Sequence, residues 1–198
     1  MICDIFSYDF FKNSKSTLKD TSFDKTNNEY MTESLIEVVD FDKATKRYYR
    51  KLKLEPLSSN DALLQMKNKD IVFIEFKNGR FSNRTKNQLD KKNADSIKVS
   101  CNILKISPEE LKPHCDYILV YNLQKNQMLI ERDVLEANNE IQQSLEYNKI
   151  GSWSTKLAKK EYVAFGLRKY ENKYFSKVHT FVKKELDEYL IKFFGECS

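Results

Sequence analysis

Ile71-Val72-Phe73-Ile74-Glu75-Phe76-Lys77 decides how the chain is read, because it is an apolar strand that carries two charges. Side chains alternate along a strand, so Ile71, Phe73, Glu75 and Lys77 share one face and Val72, Ile74 and Phe76 the other. Glu75 and Lys77 then stand about 7 Å apart at Cα. Charge in a buried strand is costly unless it is paired or binds a metal. Asn78-Gly79 ends the strand. Glu75 and Lys77 are therefore either an ion pair at an exposed strand end or part of a site.

Immediately upstream, Asn60 to Met66 alternates, with Ala62, Leu64 and Met66 on one face and Asp61, Leu63 and Gln65 on the other. The polar turn Lys67–Asp70 joins this segment to the charged strand, which predicts an antiparallel hairpin. With a four-residue turn, Asp61 reaches Glu75 and Lys77 only where the sheet bends or splays, helped by a lysine stem of about 6 Å. Two nearby carboxylates repel, and a divalent cation or a shared proton relieves the repulsion. Hard oxygen donors in small number suit Mg²⁺ (or Mn²⁺), which keeps several waters and accepts phosphate oxygens. Beside such an ion three roles are open to Lys77: orienting a water, deprotonating it, or stabilising transition-state charge.

Further out, the aromatic cluster Phe6, Tyr8, Phe10 and Phe11 is suited to packing, and Lys12 to Asn28 reads as a loop. Tyr30, Met31, Ser34, Leu35, Val38 and Val39 fall roughly at helical spacing and predict a helix from Glu29. The basic-aromatic run Lys46–Lys51 reads as a second helical piece. Downstream, a helix is expected over Lys86–Leu104, with Leu89, Ala94, Ile97 and Cys101 inward. Ser107-Pro108 starts one short turn. Tyr117–Asn122 reads as a strand buried on both faces. A helix is expected over about 134–147, strands over Tyr162–Leu167 and Phe175–Phe181, and an amphipathic helix over Glu185–Phe194. The expectation is one α/β (α+β) domain over residues 1–198, with a core of about 29–122 and a C-terminal α/β elaboration of about 123–198.

Composition bounds the partners. The 198 residues are 40% hydrophobic and 13% aromatic, enough for a sizeable core despite 32% charged residues. A net charge of +5 permits a polyanionic partner without demanding one. No apolar run approaches the roughly 18 residues of a membrane span. The N-terminus lacks a basic region followed by an apolar stretch, and the four cysteines lack CxxC spacing. A soluble cytoplasmic protein with reduced thiols is expected. Four glycines and no GxxxxGK[ST] argue against a phosphate-cradling loop. His114-Cys115 and His179 lack paired zinc-ligand spacing, and Trp153 reads as a packing anchor.

The pattern Asp61 … Glu75-Phe76-Lys77, with an apolar strand before Glu75 and a helix after the motif, resembles the core of the PD-(D/E)XK nuclease superfamily. The stretch through Asp95-Ser96 and Tyr117–Asn122 is also similar to small nuclease-fold proteins of Gram-positive bacteria. The resemblance implies a restriction-endonuclease-like mixed sheet of αβββαβ order, flanked by helices. It implies a Mg²⁺- or Mn²⁺-dependent nuclease, with DNA a better substrate than RNA, or a catalytically inactive relative that binds nucleic acid or a protein. Asp61 and Glu75 map to the metal-holding acids and Lys77 to the catalytic lysine, while Asn60 replaces the preceding proline. Many members add a glutamate from the first helix; Glu33 and Glu37 are the candidates, with Glu37 preferred. Many also act as homodimers. Arg80, Arg84 and Lys86 flank the motif and are placed for phosphate contacts. Lys91 and Lys92, with Gln88, lie on the next helix and could face the groove.

Overall fold

The computed structural model describes residues 2–133 and 162–194. The expected helix over 134–147 and Trp153 lie outside the described residues. In chain order the elements are α1 (Asp9–Lys12), β1 (Lys15–Thr17), α2 (Leu18–Thr21), β2 (Phe23–Asp24), β3 (Glu29–Tyr30), β4 (Glu37–Asp40), α3 (Phe41–Leu52), β5 (Ala62–Gln65), β6 (Ile71–Lys77), α4 (Asn83–Leu104), α5 (Pro108–Leu111), β7 (Cys115–Tyr121), α6 (123–133), β8 (Val178–Phe181) and α7 (Lys183–Phe194). A 3₁₀ segment, Ala164–Tyr170, precedes β8.

Six strands form one mixed sheet in the order β1-β4-β5-β6-β7-β8. The pairings from β1 to β6 are antiparallel, and those from β6 through β7 to β8 are parallel. The two halves meet on β6, the strand that carries Glu75 and Lys77. Its residues from Ile71 to Phe76 are buried, as a strand covered on both faces requires. On one face Phe73, Tyr117 and Leu119 pack with Phe41 and Ala44 of α3 and with Leu89 and Ile97 of α4. On the other, Val72, Ile74, Ile118 and Val120 pack with Leu186 and Leu190 of α7. The result is a three-layer arrangement of helices on both sides of a sheet.

Local signals explain most element boundaries. Ser82 caps α4 by accepting the Thr85 N–H, and Lys105 ends that helix in the left-handed region at φ 59°. Ser107 and Glu110 form a capping box on α5. Asp40 caps α3 by accepting the Lys43 N–H at 2.8 Å.

Three expectations fail. No helix runs from Glu29; the segment holds the short β3 and then β4. Val38 and Val39 are both buried but on opposite sheet faces, which is strand behaviour, and Leu35 is 67% exposed. Lys12–Asn28 is not a plain loop, since β1 supplies an edge strand paired with β4. Tyr162–Leu167 is not a strand: Phe165 and Gly166 adopt φ of 60° and 64°, which breaks extension. The sheet also takes its outer strands from beyond residues 29–122, at Lys15–Thr17 and Val178–Phe181.

Candidate functional site

The hairpin register places the acidic pair. Gln65 pairs with Ile71, and Met66 N–H donates to the Asp70 carbonyl, so the turn proper is Lys67–Lys69, one residue shorter than a four-residue turn. Ala62 therefore sits opposite Ile74, and the Asp61 N–H continues the ladder to the Ile74 carbonyl at 3.1 Å. Asp61 lies opposite Glu75 on the same face, about 5 Å away at the backbone by ordinary cross-strand spacing. No bend or splay of the sheet is needed, which corrects the expectation from a four-residue turn.

Like charges directly across a sheet are destabilising, and two lysines compensate. Lys77 Nζ is 2.6 Å from Glu75 Oε1. Lys92, from the third turn of α4, donates to Glu75 Oε1 at 2.7 Å and Oε2 at 2.9 Å, and to Asp61 Oδ1 at 3.4 Å. Because one ammonium touches both groups, Glu75 Oε1 and Asp61 Oδ1 are no further apart than the two distances combined, about 6 Å. Asp61 Oδ2 accepts the Phe76 N–H at 2.8 Å, which fixes the carboxylate plane. The Glu75 side chain is fully buried, whereas about a quarter of Asp61, Lys77 and Lys92 reaches solvent. The cluster thus closes over Glu75 and opens through the other three.

Burial and the neighbouring Glu75 charge push the Asp61 carboxyl up to about 7, against the pull of Lys92 and the Phe76 N–H. Burial works to lower the Lys92 ammonium, but the charges of Glu75 and Asp61 outweigh it and the net movement is upward. Beneath the pair, burial raises the Tyr117 phenol well above its ordinary value, and the Glu75 charge adds to the rise.

A polar seam ties α4 to this spot. Asn60 Nδ2 donates to Asn93 Oδ1 at 3.1 Å, and the Asn60 N–H donates to Ser96 Oγ at 2.9 Å. Asn60, Asn93 and Ser96 are fully buried. Asn60 precedes Asp61 and Asn93 follows Lys92, so the seam sets the height of the lysine over the carboxylates. A proline at position 60 would have no N–H to give Ser96.

The other sequence candidates scatter. Glu37 is on β4, not on a helix, and its Oε1 is 2.8 Å from Lys15 Nζ at the exposed sheet edge. From the register it lies two strands across and four residues back from Glu75, roughly 16 Å away, so it cannot share a metal with that pair. Glu33 pairs with Lys19 and Lys183 instead. Arg80 and Arg84 are exposed and Lys86 is half-buried, in the loop and first turn that follow Lys77. Lys91 bonds Ser58 and Asp95 at the surface, and Gln88 is exposed. His114 pairs with Asp70 at the opposite end of β6.

Lys92 is the residue whose importance the sequence reading underweighted. A signal was present: it falls three residues after buried Leu89 and four before buried Ser96, on the inward side of α4.

Among the described residues no group of three or more His, Cys, Asp or Glu side chains is placed to hold a metal ion. Asp61 and Glu75 supply two carboxylates, which is the donor set a hydrated Mg²⁺ takes, and an ammonium already stands between them. These residues fit a small hard cation, provided an ammonium yields its place. No helix among the described residues is long and apolar enough to cross a membrane. Comparison with known protein families, with curated proteins and with solved structures finds no match to this chain.

Proposed function

We propose that the chain is a divalent-metal-dependent nuclease that hydrolyses phosphodiester bonds, with DNA the favoured substrate. One observation carries the reading: Asp61 and Glu75 face each other in register at the end of an otherwise apolar hairpin, with Lys77 on the same face and a solvent opening above them. The mixed sheet with helices on both faces is compatible with a restriction-endonuclease-like core. The element order over Glu37–Tyr121 is βαββααβ, so the first helix follows the first core strand instead of preceding it.

In this reading Asp61 and Glu75 would hold Mg²⁺ or Mn²⁺, which would supply charge stabilisation to the scissile phosphate and acidify a water. The Phe76 N–H holds one oxygen of Asp61 and leaves the other turned toward Glu75. Lys77, beside Glu75 on the same face, would orient the attacking water or offset charge on the phosphate. Arg80, Arg84 and Lys86 lie just beyond Lys77 and suit backbone phosphates.

The test incubates the protein with single- and double-stranded DNA and with RNA, with Mg²⁺, Mn²⁺ or chelator, beside Lys77→Ala and Asp61→Asn. The expected result is metal-dependent cleavage lost in both variants. Cleavage that survives Lys77→Ala or ignores chelator contradicts the mechanism.

A second reading, a nuclease-fold module that binds nucleic acid without cutting it, is favoured by the charge balance of the cluster. Two ammonium groups already neutralise the two carboxylates. Saturable DNA binding without turnover under either metal selects it.

A further inference from the structure

We infer that Lys92 is a built-in counter-ion that competes with the divalent cation for the Asp61–Glu75 pair, so that metal enters only as the Lys92 ammonium leaves. The inference rests on the reading of Asp61 and Glu75 as metal ligands. Lys92 and Lys77 are not equivalent. Lys77 meets Glu75 Oε1 at 2.6 Å, and it approaches from the same strand. Lys92 reaches from α4, engages both oxygens of Glu75 and spans to Asp61. It therefore stands where a cation bridging the two carboxylates has to stand.

The charge count points the same way. With both carboxylates ionised, the two ammonium groups bring the sum to zero, and adding a divalent ion to all four would leave two uncompensated positive charges around a fully buried Glu75. Uncompensated buried charge is among the costliest arrangements in a protein. Displacing one ammonium halves the excess. Lys92 is the one that contacts both carboxylates, and a quarter of its side chain already meets solvent, so its flexible stem has a route outward. The seam of Asn60, Asn93 and Ser96 stays in place during this exchange, since it holds the α4 backbone and not the lysine head. The site thus has a closed, metal-free state held by its own cation and an open state held by the metal.

The experiment measures Mn²⁺ binding by calorimetry and by electron paramagnetic resonance for the natural chain, Lys92→Gln and Lys92→Arg, with DNA cleavage assayed in parallel. Lys92→Gln removes the competitor and is expected to bind Mn²⁺ roughly ten- to hundredfold more tightly. Its metal-free thermal midpoint should fall, and saturating Mn²⁺ should restore much of the loss. Lys92→Arg keeps the charge and offers a fork to both carboxylates, so it should bind Mn²⁺ more weakly than the natural chain. Should Lys92→Gln not fold, Lys92→Arg alone decides, and unchanged or tighter binding by it overturns the inference. Equal or weaker Mn²⁺ affinity in Lys92→Gln overturns it too, and if the natural chain still cuts DNA the nuclease reading survives alone. Tighter binding in Lys92→Gln with no cleavage by any form supports the inference and removes the nuclease reading. Absence of Mn²⁺ binding in every form overturns both.

Discussion

Two glutamate–lysine pairs sit on the same face of one sheet at nearly the same distance. Glu37 meets Lys15 at 2.8 Å on the outer strands, and Glu75 meets Lys77 at 2.6 Å on the central one. The Glu37 and Lys15 side chains are 55% and 43% exposed, while Glu75 is fully buried. Water does most of the solvation for the first pair, so either partner can be removed at little cost. Nothing solvates Glu75 but other side chains, and the chain surrounds it with two lysines and then places Asp61 opposite. Equal distances thus describe a surface decoration in one place and a concentrated field in the other. A buried carboxylate with a second, partly exposed one in register beside it is what a cation site needs, and an edge pair is not.

The comparison breaks most visibly on Glu75 itself. Glu75→Ala leaves Lys92 and Lys77 facing Asp61 alone in a buried setting, and the expected loss is about 3–5 kcal/mol of stability in denaturant unfolding. A loss below about 1 kcal/mol would mean the cluster is better hydrated than its burial indicates. Asn60→Ala comes next. It strands the Asn93 carbonyl oxygen in the interior and should cost about 1–3 kcal/mol in denaturant unfolding.

The acid side of the comparison has a pH signature. The Asp61 carboxyl, raised from its ordinary 3.8 to about 7 by burial and by Glu75, keeps its proton in the folded chain after the unfolded chain has lost it. The folded state then binds more protons, so this group makes folding less favourable as pH rises from about 4 to about 7, with no further change above that. Asp61→Asn should remove that slope, gaining stability relative to the natural chain most at about pH 8. Parallel unfolding curves of the two proteins across this range would contradict the assignment. The smallest effect is expected from Glu37→Ala, at about 0–1 kcal/mol and weaker in high salt. A larger loss, or any loss of Mn²⁺ binding, would restore Glu37 to the site.

What the sequence made legible follows from how local the information is. Alternation across residues 61–77 assigned every side chain of the hairpin to its observed face, because strand periodicity is a property of the strand alone. The register did not follow, since the Met66–Asp70 bond leaves one residue fewer in the turn than the four expected, and a one-residue slip moves Asp61 from diagonal to opposite. Ser107-Pro108 marked the start of α5, while the expected start of α4 at Lys86 fell three residues inside the helix that Ser82 caps. The segment from Glu29 to Val39 misled because its apolar spacing fits a helix, while its strand character comes from partners at Lys15–Thr17 and Ala62–Leu63. Tyr162–Leu167 carried its warning in Gly166, whose positive φ interrupts any strand. The acidic pair and Lys77 were visible as charges in an apolar run. Lys92 was harder to weigh because a lysine on a helix reads as surface until the helix is laid over the carboxylates.

The central claim is that Asp61 and Glu75 together form a cation site. Its most direct test is the anomalous diffraction of a crystal soaked in Mn²⁺. The account predicts one strong peak within about 2.3 Å of an oxygen from each carboxylate, a span set by the metal–oxygen distances of small hard cations, with the Lys92 head group turned away. A crystal that shows no peak there, or Lys92 still bonded to Glu75 beside a metal bound elsewhere, would contradict it.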